Sequence, residues 1–238
     1  MEIKKFIKCY SDTQGLLGGL EHPDLEVVIT SDGTDLQANI QAASLFPTFI
    51  YTCPLATSGY ADLTDNEYVR WIKEGRRIHH KHGWFLADIT QASVRQKFID
   101  HAAEIYSQIP ALAGLFIDHS EADIDNYNYH VEGLADLRKP ILHPKFLADF
   151  REGMRQIFKD LKAAFPDKKL IANSTCEADL IFRNELDGFY MENFLDIDWT
   201  QPELYENSEQ LLRAVAFMET LNPTDKWVLL EPGSMLNA

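Results

Sequence analysis

The chain has 238 residues and a hydrophobic content of 45%, which suits one large α/β domain or two small ones. It carries 37 acidic side chains against 22 Lys and Arg, and the net charge of −15 disfavours a nucleic-acid partner because phosphate binding needs clustered cations. No apolar run is long enough to cross a bilayer, so we expect no membrane partner. No signal peptide is visible, which predicts an intracellular protein, or a secreted one if a leader was removed.

Short apolar runs predict eight β-strands. Most are rich in β-branched or aromatic residues and apolar throughout, as strands buried on both faces are. In chain order they span residues 3–10, 25–30, 48–53, 84–89, 114–118, 169–173, 188–192 and 227–231.

Between these strands, apolar residues three or four positions apart predict amphipathic helices. One begins at Ser93 and ends before Pro110. A second spans 144–165, and a third opens at Ser208 and ends at 222–223.

A cluster of three histidines, His79, His80 and His82, precedes Gly83. The pattern favours the C-terminal end of a helix, where basic side chains interact well with the helix dipole. We expect no metal site there, since no H-E-x-x-H motif is present.

Strand followed by helix, repeated with eight strands, predicts a (β/α)8 TIM barrel as a single domain over residues 1–238. The main alternative is a doubly wound open sheet. The chain ends at Ala238, just after the eighth strand, so the last helix is expected to be missing. No G-x-G-x-x-G turn follows the first strand, and no cofactor is expected.

Two of the predicted strands, 114–118 and 188–192, share one pattern: glycine, apolar, aromatic, apolar, acid. Because side chains alternate along a strand, Asp118 and Glu192 would face the barrel axis together with the aromatic residues two positions before them. One strand lies between the two, so the carboxyl groups are expected about 5–9 Å apart, a range that includes both retaining and inverting glycosidases.

Paired carboxylates suit glycosidic cleavage, because one group must deliver a proton while the other attacks or activates water. Glu192, flanked by Tyr190 and Phe194, is the better proton donor if apolar burial raises its pKa. Asp118 would then be the nucleophile or base. The alternative for each acid is a structural ion pair or helix cap.

Polar and aromatic residues at the other strand ends and in the loops after them are candidates for substrate binding. They are Tyr10, Tyr51, Asp88, His119, Asn173, Trp199 and Glu231. Asp88 could equally cap the helix that begins at Ser93, and Asn173 could be a turn amide.

The segments 84–90, 113–118, 170–173 and 186–192 resemble TIM-barrel glycoside hydrolase families, in particular the endo-α-1,4-polygalactosaminidases and related glycosidase-like proteins. The resemblance implies hydrolysis of an oligo- or polysaccharide, with an Asp and a Glu that close two strands as the catalytic pair. These positions correspond to Asp118 and Glu192. The acidic surface would tolerate a neutral substrate and favour a cationic one, such as an amino-sugar polymer.

Two other functions remain open from the sequence. One is a carbohydrate-binding barrel without catalysis, in which the acids only hold hydroxyls or amines. The other is a Schiff-base lyase that uses an inward lysine, for which Lys8 is the best candidate. The oligomeric state is not predicted.

Overall fold

A computed structural model describes residues 2–9, 12–56, 63–70, 75–80, 83–120, 129–132, 144–173, 181–191 and 226–230. The described residues fall into two compact units. Those of the first lie within Met1–Tyr51, Ala111–Ile117 and Lys168–Ala238, and those of the second lie within Thr52–Pro110 and Asp118–Asp167. The organisation of 1–238 as a single domain stays a prediction.

The described strands and helices follow one another in this order. The strands are β1 (Glu2–Ile3), β2 (Phe6–Cys9), β3 (Val27–Ser31), β4 (Thr48–Thr52), β5 (Ile78–His80), β6 (Gly114–Ile117), β7 (Tyr129–Val131), β8 (Lys169–Asn173), β9 (Gly188–Met191) and β10 (Trp227–Leu230). The helices are α1 (Thr13–Gly19), α2 (Leu36–Leu45), α3 (Ala92–Gln108) and α4 (Pro144–Ala164).

The first unit contains a nearly closed parallel barrel of seven staves, which confirms the predicted fold class. The strand order is β1-β10-β9-β8-β6-β4-β3-β2. The N-terminal segment joins both ends of this sheet, because β1 pairs with β10 while β2, only a few residues further on, pairs with β3. One interrupted strand therefore links the two edges of the sheet.

The predicted strand at 84–89 is wrong as a barrel stave. β6 lies directly beside β4, where the Ala113 backbone N–H donates to the Thr48 carbonyl at 2.9 Å. Residues 85–87 instead make isolated antiparallel bridges within the second unit. Leu86 and Ala87 are fully buried there, and an apolar run of this length does not reveal which elements bury it.

The predicted helix end at the histidine cluster is also wrong. Residues 78–80 form β5, which pairs with β7 in an antiparallel two-stranded sheet. Gly83 does adopt the left-handed conformation expected after a helix, with φ +90°. It closes a turn in which its N–H donates to the His80 carbonyl at 2.8 Å, so the glycine signal belongs to a strand end.

Two predicted helices are confirmed. α3 begins one residue before Ser93 and ends before Pro110, and α4 begins at Pro144 and ends one residue before the predicted limit. The predicted helix from Ser208 lies outside the described residues. No helix among the described residues is long and apolar enough to cross a membrane.

Two helices that the sequence patterns did not single out, α1 and α2, pack near the outer side of β3. Each is capped by an aspartate: Asp12 accepts from the Gly15 N–H, and Asp35 accepts from two N–H groups in the first turn of α2. Apolar side chains of both helices form one buried cluster with those of β3 and of the segment between α1 and β3: Leu16, Leu20, Leu25, Val28, Ala38 and Ala42.

A second apolar cluster fills the barrel. Its buried members are Val27, Ile29, Phe49, Phe116, Ile171, Tyr190 and Leu229. Phe116 and Tyr190 both belong to it, with ring centroids 5.0 Å apart in an edge-to-face contact. The predicted inward phase of these two aromatic residues is thereby confirmed.

Candidate active site

The sequence-predicted site residues divide into two groups. Tyr10, Glu192, Trp199 and Glu231 lie outside the described residues, so their roles stay predictions. The structure describes Tyr51, Asp88, Asp118, His119 and Asn173.

Tyr51 and Asn173 lie at the carboxyl ends of barrel strands. Tyr51 stacks on Phe116 with 6.0 Å between ring centroids. Asn173 is the last residue of β8 and is 9% exposed. A phenol and an amide at this end of a barrel can donate to and accept from sugar hydroxyls.

Lys8 lies in the same unit, close to the end of β2. Its Nζ donates a hydrogen bond to the Tyr190 hydroxyl and lies 4.8 Å from the centroid of that ring. Phe6 meets Tyr190 edge to face at 5.7 Å. The barrel therefore holds the Lys8 side chain against the hydroxyl end of Tyr190.

Asp118 belongs to the second unit and directly follows β6. Its backbone N–H donates to the Thr52 carbonyl at 2.8 Å, which fixes the main chain where the strand ends. The side chain is 16% exposed, and its Oδ2 lies 3.6 Å from Nε2 of His119. This carboxylate is largely enclosed and has a basic side chain next to it.

His119 packs against two aromatic side chains of the same unit. Its ring meets His80 edge to face at 4.9 Å and Trp84 at 5.4 Å. His80 and Trp84 are stacked on each other, with centroids 4.5 Å apart and an interplanar angle of 10°. We call His80, Trp84 and His119 the histidine–tryptophan cluster.

Sequence reasoning did not assign His80 or Trp84 to the site. His80 was expected in a helix, and Trp84 was expected at the start of a barrel strand. Both contact His119 from a distant part of the chain, and no spacing within 78–84 signals that contact. An alternating pattern over 78–80 would have favoured a strand, but three residues are too few to establish a period.

Asp88 is engaged in a turn just before α3. Its Oδ1 accepts from the Thr90 N–H at 3.1 Å and from the Thr90 hydroxyl at 2.6 Å, and its Oδ2 accepts from Nε2 of Gln91 at 2.9 Å. The helix cap that the sequence left open as the alternative is wrong: these contacts stay within the turn, and α3 has Gln91 as its N-cap and no side-chain capping hydrogen bond. A contact between Asp88 and substrate stays a prediction.

A second enclosed carboxylate, Glu67, has a structural environment. Its Oε2 accepts from Lys97 Nζ at 2.7 Å and from the Thr64 N–H at 2.8 Å. The Lys97 hydrogen bond, followed by the Thr64 backbone, lowers the pKa of Glu67 to about 2. The Glu67 carboxylate therefore joins the segment 63–70 to α3.

Among the residues that the structure describes, no three or more His, Cys, Asp or Glu side chains are arranged to hold a metal ion. The expectation that the protein needs no metal or cofactor stays a prediction.

The barrel fold of this chain is shared with glycoside hydrolase domains of known structure. The glycoside hydrolase domain of PelA from Pseudomonas aeruginosa has a TM-score of 0.63 at 13% identity, covering 95% of this chain and 81% of that one. Ega3 from Aspergillus fumigatus, solved in complex with galactosamine, has a TM-score of 0.53 at 14% identity, covering 96% and 74%. A family GH13_31 enzyme has a TM-score of 0.58 at 14% identity, covering 94% and 57%.

No family model matches the sequence, and no curated protein matches it either. At 13–14% identity, the likeness to these three structures establishes the shared fold.

Proposed function

We propose that this protein is a glycoside hydrolase that cleaves an oligo- or polysaccharide, with Asp118 and Glu192 as its acid pair. The observation that carries the proposal is the contact between Phe116 and Tyr190 inside the barrel. Each aromatic residue precedes one of the acids by two positions, and side chains two apart on a strand share a face. The fold shared with glycoside hydrolase domains supports the same reaction class.

The strand order supports the pairing of these two acids. Only β8 lies between β6 and β9, so the ends of these two strands are about 10 Å apart along the sheet. The proposed acid pair requires a spacing of this size. The register pairs Ile117 with Ala172, and Asp118 and Asn173 are the residues that follow this pair. In the proposed reaction Glu192 protonates the leaving oxygen, and Asp118 attacks the sugar or activates water.

The net charge suggests which classes of glycan to test as substrates. The net charge of −15 favours cationic glycans by long-range steering, so amino-sugar polymers belong in the substrate screen beside neutral ones. Tyr51 and Asn173 are proposed to bind sugar hydroxyls, as are Asp88, Tyr10, Trp199 and Glu231. For His119, which was predicted in the same group, the short distance to Asp118 favours a different role.

The test is release of reducing ends from a panel of neutral and amino-sugar polysaccharides. We expect Asp118→Asn and Glu192→Gln each to lower kcat by at least about 1,000-fold, because each removes one half of the acid pair without changing side-chain volume. The matched controls Asp100→Asn and Glu104→Gln remove exposed carboxylates of α3 and should retain wild-type turnover.

Full activity in both active-site variants would refute the proposal. Binding of a glycan by the wild type without turnover, retained in both variants, would instead identify a carbohydrate-binding barrel. Borohydride trapping of a Lys8 adduct with a carbonyl substrate would instead identify the Schiff-base lyase.

A further inference from the structure

We propose that His119 is a positioning residue, which holds the Asp118 carboxylate in its reactive orientation through the histidine–tryptophan cluster. This inference rests on the proposed function. Its first support is proximity: Nε2 of His119 lies 3.6 Å from Oδ2 of Asp118, and the two side chains are only 19% and 16% exposed. An imidazole this close restricts the orientations open to the carboxylate.

The backbone of His119 gives the second support. Its φ of +49° lies in the left-handed region, and no other non-glycine residue among those described has a positive φ. For an L side chain this conformation costs roughly 1–2 kcal/mol, which glycine would avoid. Strained residues of this kind cluster at functional positions, where the side chain contributes something that glycine cannot.

The third support is the fixed position of the His119 ring. His80 and Trp84 contact the ring edge to face at 4.9 and 5.4 Å. His80 and Trp84 also stack on each other, with centroids 4.5 Å apart, and His80 is only 1% exposed. The two rings therefore hold the His119 ring together. A ring packed in this way presents Nε2 to Asp118 in a constant direction.

Holding the catalytic acid in one orientation raises kcat, because the reacting atoms start close to the geometry of the transition state. Loss of the imidazole should therefore lower kcat by about 10–100-fold and leave KM nearly unchanged, since substrate contacts persist. A residue that bound substrate directly would raise KM instead. The split between kcat and KM distinguishes the two roles.

The decisive variant is His119→Gly, because glycine adopts a φ of +49° without strain and leaves a space the size of an imidazole ring. We expect its lowered kcat to recover at least in part when free imidazole is added to the assay. His119→Asn should retain more activity than the glycine variant, since asparagine tolerates the left-handed conformation and keeps an N–H donor. Asp118→Asn with added imidazole serves as the control and should not recover.

A wild-type kcat in His119→Gly, or a raised KM with unchanged kcat, would overturn the positioning role. Either result leaves the proposed function standing, provided that Asp118→Asn is inactive. Crystal structures of the wild type and of His119→Gly give a readout that needs no turnover. We expect a single Asp118 rotamer in the wild type and several in the variant, and the same single rotamer in both would also overturn the inference.

Discussion

Glu67 is a carboxylate whose contacts hold two parts of the second unit together. Its side chain is 8% exposed and pairs with Lys97 on α3, while both the N–H and the hydroxyl of Thr64 donate to the same oxygen. These contacts favour the ionised form and lower the pKa of Glu67 from 4.5 to about 2. An acid whose pKa is lower in the folded state stabilises the fold wherever it is ionised.

Glu67→Gln should lower the free energy of unfolding by about 2–3 kcal/mol at pH 7, because it removes the negative charge that pairs with Lys97 at 2.7 Å. The stabilisation by Glu67 is fully present above pH 4.5 and is lost as the pH falls towards about 2. The difference between wild type and variant should therefore shrink below pH 4.5. Denaturant unfolding at a series of pH values from 3 to 7 measures it.

Glu132→Gln is the matched control for this experiment. Glu132 pairs with Arg77 through two hydrogen bonds of 3.0 and 3.2 Å, and the Arg77 hydrogen bond lowers its pKa as well. Its side chain is 41% exposed, so the change should cost less than about 1 kcal/mol. An equal loss of stability in both variants, or a Glu67 effect that does not vary with pH, would contradict this account.

At the candidate site, the sequence alone predicts a functional residue where a polar side chain directly ends an apolar strand. Asp118 was found because it closes an apolar strand, and its neighbour His119 because it follows directly. The cluster that holds His119 could not be predicted, because His80 and Trp84 reach it only through the fold of the second unit. Periodicity reports which face of an element is buried, and it carries no information on which distant residues meet there.

Among the strands, β6 and β9 both begin with a glycine, and the structure explains why. A Cβ on Gly114 would lie 1.8 Å from the carbonyl oxygen of Lys169 in β8. A Cβ on Gly188 would lie 3.0 Å from Trp227 in β10, a contact that a small shift relieves. The glycine at the start of both strands thus reflects the close approach of a neighbouring strand. The approach is much closer at Gly114 than at Gly188.

Gly114→Ala should destabilise the protein by more than about 3 kcal/mol or prevent folding, because backbone atoms of β8 cannot move aside without breaking the β6–β8 ladder. Gly188→Ala should cost about 1 kcal/mol. Chemical unfolding of both variants measures the difference. Gly18→Ala in α1, where a Cβ meets nothing within 4 Å, should be neutral or slightly stabilising. Equal effects at 114 and 188 would contradict the strand packing described here.

The sequence predicts a barrel strand correctly where a short apolar run is enough to identify it. The prediction fails where the place of the strand depends on which distant residues pair with it. The buried runs that became β3, β4, β6, β8, β9 and β10 were all recognised. The run at 84–89 was equally apolar, yet its β-bridges are to residues 56, 68 and 79 rather than to a barrel strand. The double pairing of the N-terminal segment with β10 and β3 likewise depends on long-range closure.

At the scale of the whole molecule, the chain combines a barrel fold, which glycoside hydrolase domains share, with one proposed pair of acids. The seven-stave barrel brings Phe116 and Tyr190 into contact at its centre. Its strand order leaves a single strand between the two acid-bearing ones. The net charge of −15 would suit both neutral and cationic glycans, so the charge alone does not select the sugar.

The measurement that tests the central claim most directly is the distance between the carboxyl carbons of Asp118 and Glu192 in a crystal structure with a bound oligosaccharide. We predict a separation of about 5–9 Å, with the two groups on opposite sides of one glycosidic bond. A value near 5 Å would indicate a retaining mechanism, and one above about 6.5 Å an inverting mechanism. A separation well beyond about 10 Å, or a Glu192 side chain directed away from the barrel axis, would contradict the proposed acid pair.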